Sequence, residues 1–363
     1  MAAQLQPLYR LQKIRAFAAQ FVVIFHAFEF VKSSTDMDVP HLYIGKFVLD
    51  IFFVMSGLIM VYATKPDETA SGFFIRRVAR VFPLYWGATA ACILVSLAVP
   101  WVFSNTDLSP WAIFTSFAFI PAEDVAGNIQ PVLFVGWSLN MEMAFYSLYA
   151  LSLLLPKRWQ MPVLMAMLAL IAAACAWVLP KNVLTAFYGS PFLVEFAAGC
   201  AVGLALRKQW MINFVKRTPM WPVALLSTAC FVYATVYEPN SALGAFMISS
   251  GCTGLIFAAA AADLYRRPTK KDVSVLIGDA TYSAYLLHPF LVPPFGVLAI
   301  RYLGETWLMV FVYTALCILV TTLISLGTYL WYEIPANNLV RRWLLTLTGQ
   351  RRRKPGPAPA TTV

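Results

Sequence analysis

Charge is what this chain lacks most. Charged residues make up 12% of its 363 residues, where soluble domains carry roughly 25%. A water-solvated globular domain is thereby excluded. Histidine is almost absent, with three residues. The six cysteines (Cys92, Cys175, Cys200, Cys230, Cys252, Cys317) all lie in apolar runs and form no CxxC pair. They read as small buried hydrophobes, neither a disulfide framework nor a metal site. There is no Gly-rich phosphate loop, no zinc-spaced His/Cys cluster and no GxSxG element. Soluble kinase or hydrolase chemistry is disfavoured, and no metal is expected. No internal repeat of the kind many transporters show is visible.

What is present is apolar sequence in membrane-length runs. The chain is 60% hydrophobic with a mean hydropathy of +0.70. The expectation is an all-α, polytopic membrane protein of about ten transmembrane helices, over 12–31, 45–64, 83–103, 133–155, 162–179, 188–206, 221–237, 242–262, 274–300 and 306–332. Arg10, Lys13 and Arg15 before the first run mimic a signal peptide, but no small-residue cleavage site follows, so the run reads as a retained span. The stretch 109–121 is too short to cross and reads as interfacial or re-entrant. Pro289, Pro293 and Pro294 should kink or break the ninth span.

The basic residues orient these spans. With the N-terminus cytoplasmic, 23 of the 27 lysines and arginines fall on the inside, which puts both termini in the cytoplasm. The net charge of +10 is then a topology signal and no sign of nucleic-acid binding. Residues 1–345 read as one transmembrane domain and 346–363 as a basic, disordered cytoplasmic tail. Short loops and basic inside segments suggest a bacterial inner membrane.

The ionisable residues within the spans are the candidates for chemistry. His26 follows Arg15 by eleven residues, which returns a helix to within ~20° of the same face, ~16 Å along. Arg15 and His26 therefore line one stripe at two depths, although a histidine bonded to a neighbouring helix would look the same. The expected topology puts His26, Asp50, Glu142 and His288 in the outer half of the bilayer. Buried separately they would be costly, so they are expected to meet around a wet cavity. Histidine beside carboxylate suits a general base with an orienting partner, and equally a proton relay. At the cytoplasmic mouth, Arg76, Arg77 and Arg80 interleave with Phe73, Tyr85 and Trp86 before Pro83 interrupts or starts the next helix. That cluster could hold a phosphorylated, nucleotide-bearing ligand, or be a positive-inside anchor.

Six motifs in order resemble the acyltransferase 3 family of integral membrane proteins. They are the Arg15–His26 spacing; Phe52-Phe53-Val54-Met55-Ser56-Gly57, similar to FFxxSG; the Arg76-Arg77…Arg80…Pro83…Tyr85 cluster; Trp137-Ser138-Leu139-Asn140-Met141-Glu142-Met143-Ala144-Phe145-Tyr146, similar to WSLxxExxFY; Tyr282-Ser283-Ala284-Tyr285-Leu286-Leu287-His288-Pro289, similar to YSxYLxHP; and Glu333-Ile334-Pro335, similar to a closing E-x-P. Together they cover roughly residues 8–340, and the wording looks closest to the branch that acetylates exopolysaccharide such as succinoglycan.

The resemblance implies an O-acyltransferase. It would take an acyl group, usually acetyl, from cytoplasmic acyl-CoA and pass it to a hydroxyl of a cell-surface polysaccharide or lipid-linked glycan precursor. Besides acetyl-CoA and glycan, membrane lipid and polysaccharide assembly proteins are the implied partners. Arg15, Arg76, Arg77 and Arg80 would bind the donor. His26 would deprotonate the acceptor or carry the acyl group, with Glu142 orienting it or keeping it basic. Asp50, Trp137, Ser138, Tyr146, Tyr285 and His288 would form the acceptor site, and Ser56-Gly57 would permit close helix approach. Some family members carry a fused extracytoplasmic esterase-like domain that is not legible here, so the expectation is unaided action or hand-over to a separate protein. A proton-coupled transporter or glycan exporter remains the alternative of another class, and a fatty-acyl transferase acting on lipid or protein keeps the enzyme and changes its substrate.

Overall fold

Each apolar run of the sequence becomes a helix, because in lipid a helix satisfies its own backbone polar groups. The computed structural model describes residues 7–43, 45, 48–103, 106–237, 240–265 and 271–348. Lys46, Arg266, Arg267, Lys270 and the tail from 349, with its basic residues Arg351 to Lys354, lie outside the described residues. In chain order the helices are α1 (Tyr9–Ser34), α2 (Leu49–Ala63), α3 (Ala70–Ala98), α4 (Pro110–Ala118), α5 (Trp137–Ser152), α6 (Lys157–Ala173), α7 (Val183–Tyr188), α8 (Phe192–Ala205), α9 (Gln209–Arg217), α10 (Trp221–Tyr237), α11 (Ala242–Tyr265), α12 (Val273–Asp279), α13 (Thr281–Leu287), α14 (Val292–Leu303), α15 (Trp307–Thr328) and α16 (Ile334–Leu347). Among the described residues no strand forms, and extended backbone pairs only in an isolated bridge between Glu123 and Ile129.

Fewer than ten of these elements are long enough to cross a bilayer unaided. Among the described residues, six helical segments meet that length and hydropathy, or eight if two bent pairs each count as one crossing. The shortfall has local causes. The second and fourth expected spans become α2 and α5, of 15 and 16 residues, short of the ~20 that span the hydrocarbon. The seventh lies in a pair bent by 94°, α9 with α10. The ninth breaks as its prolines require: α13 ends in a 3-10 turn, His288–Phe290, and α14 leaves it at 51°. The stretch 109–121 holds only the nine-residue α4.

Pro83 neither starts nor stops a helix. It sits inside α3, which carries the arginine cluster within its length. A proline is tolerated in a membrane helix where neighbouring polar groups re-satisfy the backbone. Beside the proline, Tyr282 donates to the Val81 carbonyl at 2.7 Å and Tyr332 to the Pro83 carbonyl at 3.1 Å, tying this part of α3 to its neighbours; the carbonyl that Pro83 itself leaves without a helical donor is that of Ala79.

The core of the bundle is a close crossing of α2 and α8. A methyl group on Gly57 would strike the Phe196 backbone, and one on Gly199 would strike the Val54 backbone. Gly57 thus does what its motif implied, and Gly199 and Gly203 supply the matching small-xxx-small face. Gly278 of α12 lies equally close to the Gln12 backbone of α1. Outside, Leu94, Trp177, Leu319 and Trp331 are among many exposed large apolar residues, the surface a lipid-facing bundle presents.

Candidate active site

Helix α1 contributes to two separate cavities. The first, about 210 Å³, takes Gln12 and Arg15 from α1, Ser56 from α2, Arg77 and Arg80 from α3, Ser138, Glu142 and Tyr146 from α5, and Tyr282 and Tyr285 from α13. Ser138, Glu142 and Tyr146 recur every four residues, so one face of α5 delivers all three. Glu142 accepts hydrogen bonds from the Ser56 hydroxyl at 3.1 Å and from the Tyr146 hydroxyl. The Arg77 guanidinium lies over the rings of Phe73 and Tyr146, 5.7 and 5.8 Å from their centroids, and its Nε is buried without a partner. Arg15 donates to the Gln12 side chain at 3.2 Å. Three guanidinium groups against one carboxylate leave this cavity cationic, as an anionic ligand requires.

The second cavity, about 420 Å³, takes His26, Glu29, Phe30 and Ser33 from later turns of α1, Asp107, Asp124 and Gln130 from the loops around α4, Phe134, and His288 from the break after α13. The rings of His26 and His288 lie 5.0 Å apart, and Phe134 packs edge-on to His26 at 5.2 Å. His288 is fully buried. Its Nδ1 donates to the Ala284 carbonyl at 3.4 Å, and its Nε2 has no partner. A carbonyl can only accept, so Nδ1 carries the proton, and in the neutral ring Nε2 presents a lone pair.

The two cavities stand back to back. Phe134 lines one and Ser138 the other; His288 lines one and Tyr285 the other. The partition is therefore about one helical turn thick on both sides. It is tied together by the Tyr285 hydroxyl, which bonds the Val135 carbonyl at 2.7 Å and the Ser138 hydroxyl at 2.9 Å.

This arrangement differs from the single cavity expected around His26, Asp50, Glu142 and His288. The structure joins His26 to His288 but puts Glu142 among the arginines. Asp50 is buried on α2 and lines neither cavity. Ser138, Tyr146 and Tyr285 line the arginine cavity, and Trp137 stacks in an apolar cluster with Phe53 and Phe192. Arg76 pairs with Glu68 and lies outside the first cavity, whereas Arg15, Arg77 and Arg80 line it. Among the described residues, no group of three or more His, Cys, Asp or Glu side chains is placed to hold a metal ion.

The sequence signals picked out neither Glu29 nor His41. Glu29 is one turn after His26 and lines the same cavity, a position that helical spacing alone could have indicated. His41 bonds Glu29 at 2.7 Å. Asp107, Asp124 and Gln130 come from loops, where no periodicity could place them. The closing motif does have a structural partner: the Ser283 hydroxyl donates to buried Glu333 at 2.6 Å.

Comparison with known proteins agrees with the motif reading. Residues 8–327 match the family model of the acyltransferase domain Acyl_transf_3. The chain is 31% identical over 254 residues to the exopolysaccharide production protein ExoZ of Rhizobium meliloti (strain 1021), covering 69% of this chain and 77% of the relative. It is 26% identical to the acyltransferase MdmB of Streptomyces mycarofaciens over 70% of this chain and 69% of the relative. It is 24% identical to nodulation protein 10 of Rhizobium leguminosarum bv. viciae over 82% and 86%. No solved structure matches the chain significantly. The motifs, the apolar bundle and the family match converge: this chain belongs to the acyltransferase 3 family and is an integral membrane O-acyltransferase.

Proposed function

We propose that the protein transfers an acyl group, acetyl foremost, from cytoplasmic acyl-CoA to a hydroxyl of a cell-surface polysaccharide or its lipid-linked precursor. The observation that carries this reading is the pair of cavities on one helix, one ringed by arginines and one holding two histidines. Arg15, Arg77 and Arg80 suit an anionic thioester. The arginine cavity is smaller than the several hundred Å³ of a drug-sized site, so it takes only part of the donor, its phosphates against the arginines and its nucleoside at the mouth. The inside bias of the basic residues puts that mouth on the cytoplasmic face and the histidines toward the far side. In a bacterium this is the inner membrane.

In this reading His26 is the general base. An imidazole nitrogen takes the proton of the acceptor hydroxyl as its oxygen bonds to the thioester carbonyl carbon. The carbon–sulfur bond then breaks, and the proton passes from His26 to the departing sulfur. His288 Nε2 holds the acceptor by accepting a second hydroxyl hydrogen bond. Glu142 acts from the other cavity, fixing Ser56 and Tyr146 and balancing the arginines, and not as the partner of His26. The polysaccharide acceptor is supported by the ExoZ relative. The family match disfavours the exporter reading, which invoked the same ionisable residues.

The test is acetyl content of the surface polysaccharide, by NMR, in a deletion strain complemented with wild type, His26→Ala or Arg80→Ala. Loss in the deletion, restored by wild type alone, supports the enzyme and both cavities. Unchanged acetylation with altered polymer export would overturn it.

A further inference from the structure

The charged groups of the histidine cavity are all of one sign. Glu29, Asp107 and Asp124 line it, and among the described residues no lysine or arginine does. This contrasts with the arginine cavity one turn away. Each carboxylate is held by the fold. Glu29 bonds His41 through Oε1. Asp107 accepts the Ser109 backbone N–H at 2.8 Å. Asp124 accepts the N–H groups of Ala126 and Asn128 at 2.9 and 2.8 Å and the Gln130 amide at 2.5 Å. Slight burial works against the Asp124 charge, but the bonds from Asn128, Gln130 and Ala126 outweigh it and hold the carboxyl below its ordinary value. These bonds favour the charged form of Asp124.

A second, independent feature says that something with a polar hydrogen belongs here. His288 lines the cavity and is fully buried, its Nδ1 proton is committed to Ala284, and its Nε2 meets no protein donor. A buried acceptor left unmet is costly unless a ligand satisfies it. Hydroxyl or amine hydrogens satisfy both the lone pair and the carboxylates. A carboxylate or phosphate ester satisfies neither, and it would sit against three like charges at close quarters.

Resting on the acyl-transfer reading, we infer that the histidine cavity selects its acceptor by charge. It admits hydroxyl-bearing sugar residues that are neutral or cationic and rejects residues that carry an acidic group.

The test uses purified, detergent-solubilised full-length protein with acetyl-CoA. The acceptor is the host's own surface polysaccharide, saponified to strip its esters and cut to oligosaccharides. The methyl glycoside of glucuronic acid, with its carboxylate free, and the primary amide of the same glycoside are compared as inhibitors. They match in shape and differ in charge. The amide should inhibit with a Ki roughly tenfold or more below that of the acid. The gap should narrow in Glu29→Gln and Asp107→Asn, which keep an oxygen for His41 and for the Ser109 N–H. Equal or tighter inhibition by the acid in the wild type would overturn the inference, and that comparison needs no variant to fold. A gap unchanged in correctly folded variants would also overturn it. No transfer to the oligosaccharides at all is a different failure, and it would remove the acyl-transfer reading itself.

Discussion

His26 and His288 face each other with ring centroids 5.0 Å apart, one from the first helix and the other from the turn that breaks the ninth apolar run. Two histidines in one cavity invite a division of roles, and their surroundings differ. His288 has its proton position fixed by Ala284, whereas His26 meets rings on several sides, Phe25 and Phe134 among them. The freer ring suits proton transfer. His26→Ala should lower kcat by ~10²–10⁴-fold, the usual contribution of a general base. His288→Asn should mainly raise KM for the acceptor. Steady-state transfer kinetics with varied acceptor separate these outcomes, and a kcat loss at His288 as large as at His26 would reverse the roles.

The arginines should divide by cavity. Arg77→Ala and Arg80→Ala should each raise KM for the thioester about 10- to 100-fold, the equivalent of losing one charge-assisted contact. Arg76→Ala should change it little, because Arg76 pairs with Glu68 outside the cavity. Donor titration at saturating acceptor reads this directly.

Phe134 packs on His26 in the partition between the cavities. Phe134→Ala should let water reach the acyl carbon. The expected result is thioester hydrolysis without acceptor, several-fold above wild type, with transfer reduced. Free thiol release measured with and without acceptor checks it.

The α2–α8 crossing makes a stability prediction. Gly57→Ala and Gly199→Ala each force a methyl against backbone that cannot rotate away. Overpacking of this kind costs about 1–3 kcal/mol. Thermal unfolding in detergent should show lowered midpoints for both, while Gly127→Ala, which meets nothing within 4 Å but has a positive φ, should cost less.

On the loop side, Lys13 of α1 bonds Asp272, which also accepts from Ser274 and caps α12 at Val275. The Lys13 and Ser274 bonds lower the Asp272 carboxyl to about 2. A carboxyl depressed on folding stabilises the fold above its unfolded value, near 4, and that stabilisation is lost as pH falls through about 2. The link between α1 and α12 should thus hold throughout the ordinary working range. Carboxyl titration by NMR should show the low midpoint, and Lys13→Ala should raise it.

What could be read from sequence followed from periodicity. The face of α5 carrying Ser138, Glu142 and Tyr146 and the break at His288-Pro289 rest on helical spacing and proline chemistry, and both appear in the fold, whereas Arg15 and His26, eleven residues apart on α1, line different cavities. Which stripes meet is another matter, because it depends on how helices far apart in the chain pack. Depth alone made Glu142 a neighbour of His26, whereas Ser56 and Tyr146 claim it on the other side of a one-turn partition. The crossings were over-counted for a local reason. Hydropathy gave the second and fourth spans membrane length, whereas the helices that form there, α2 and α5, run only 15 and 16 residues. The loop carboxylates Asp107 and Asp124 carried no periodic signal at all.

The partition tied by Tyr285, Ser138 and Val135 has a consequence for transport. If thioester and sugar enter from opposite ends of α1, only the acyl group has to traverse the permeability barrier, and it does so as it changes carriers. No bulky nucleotide crosses and no hinge has to swing a substrate through. The chemistry is itself the translocation step, vectorial because its two reactants approach the reacting carbon from opposite sides.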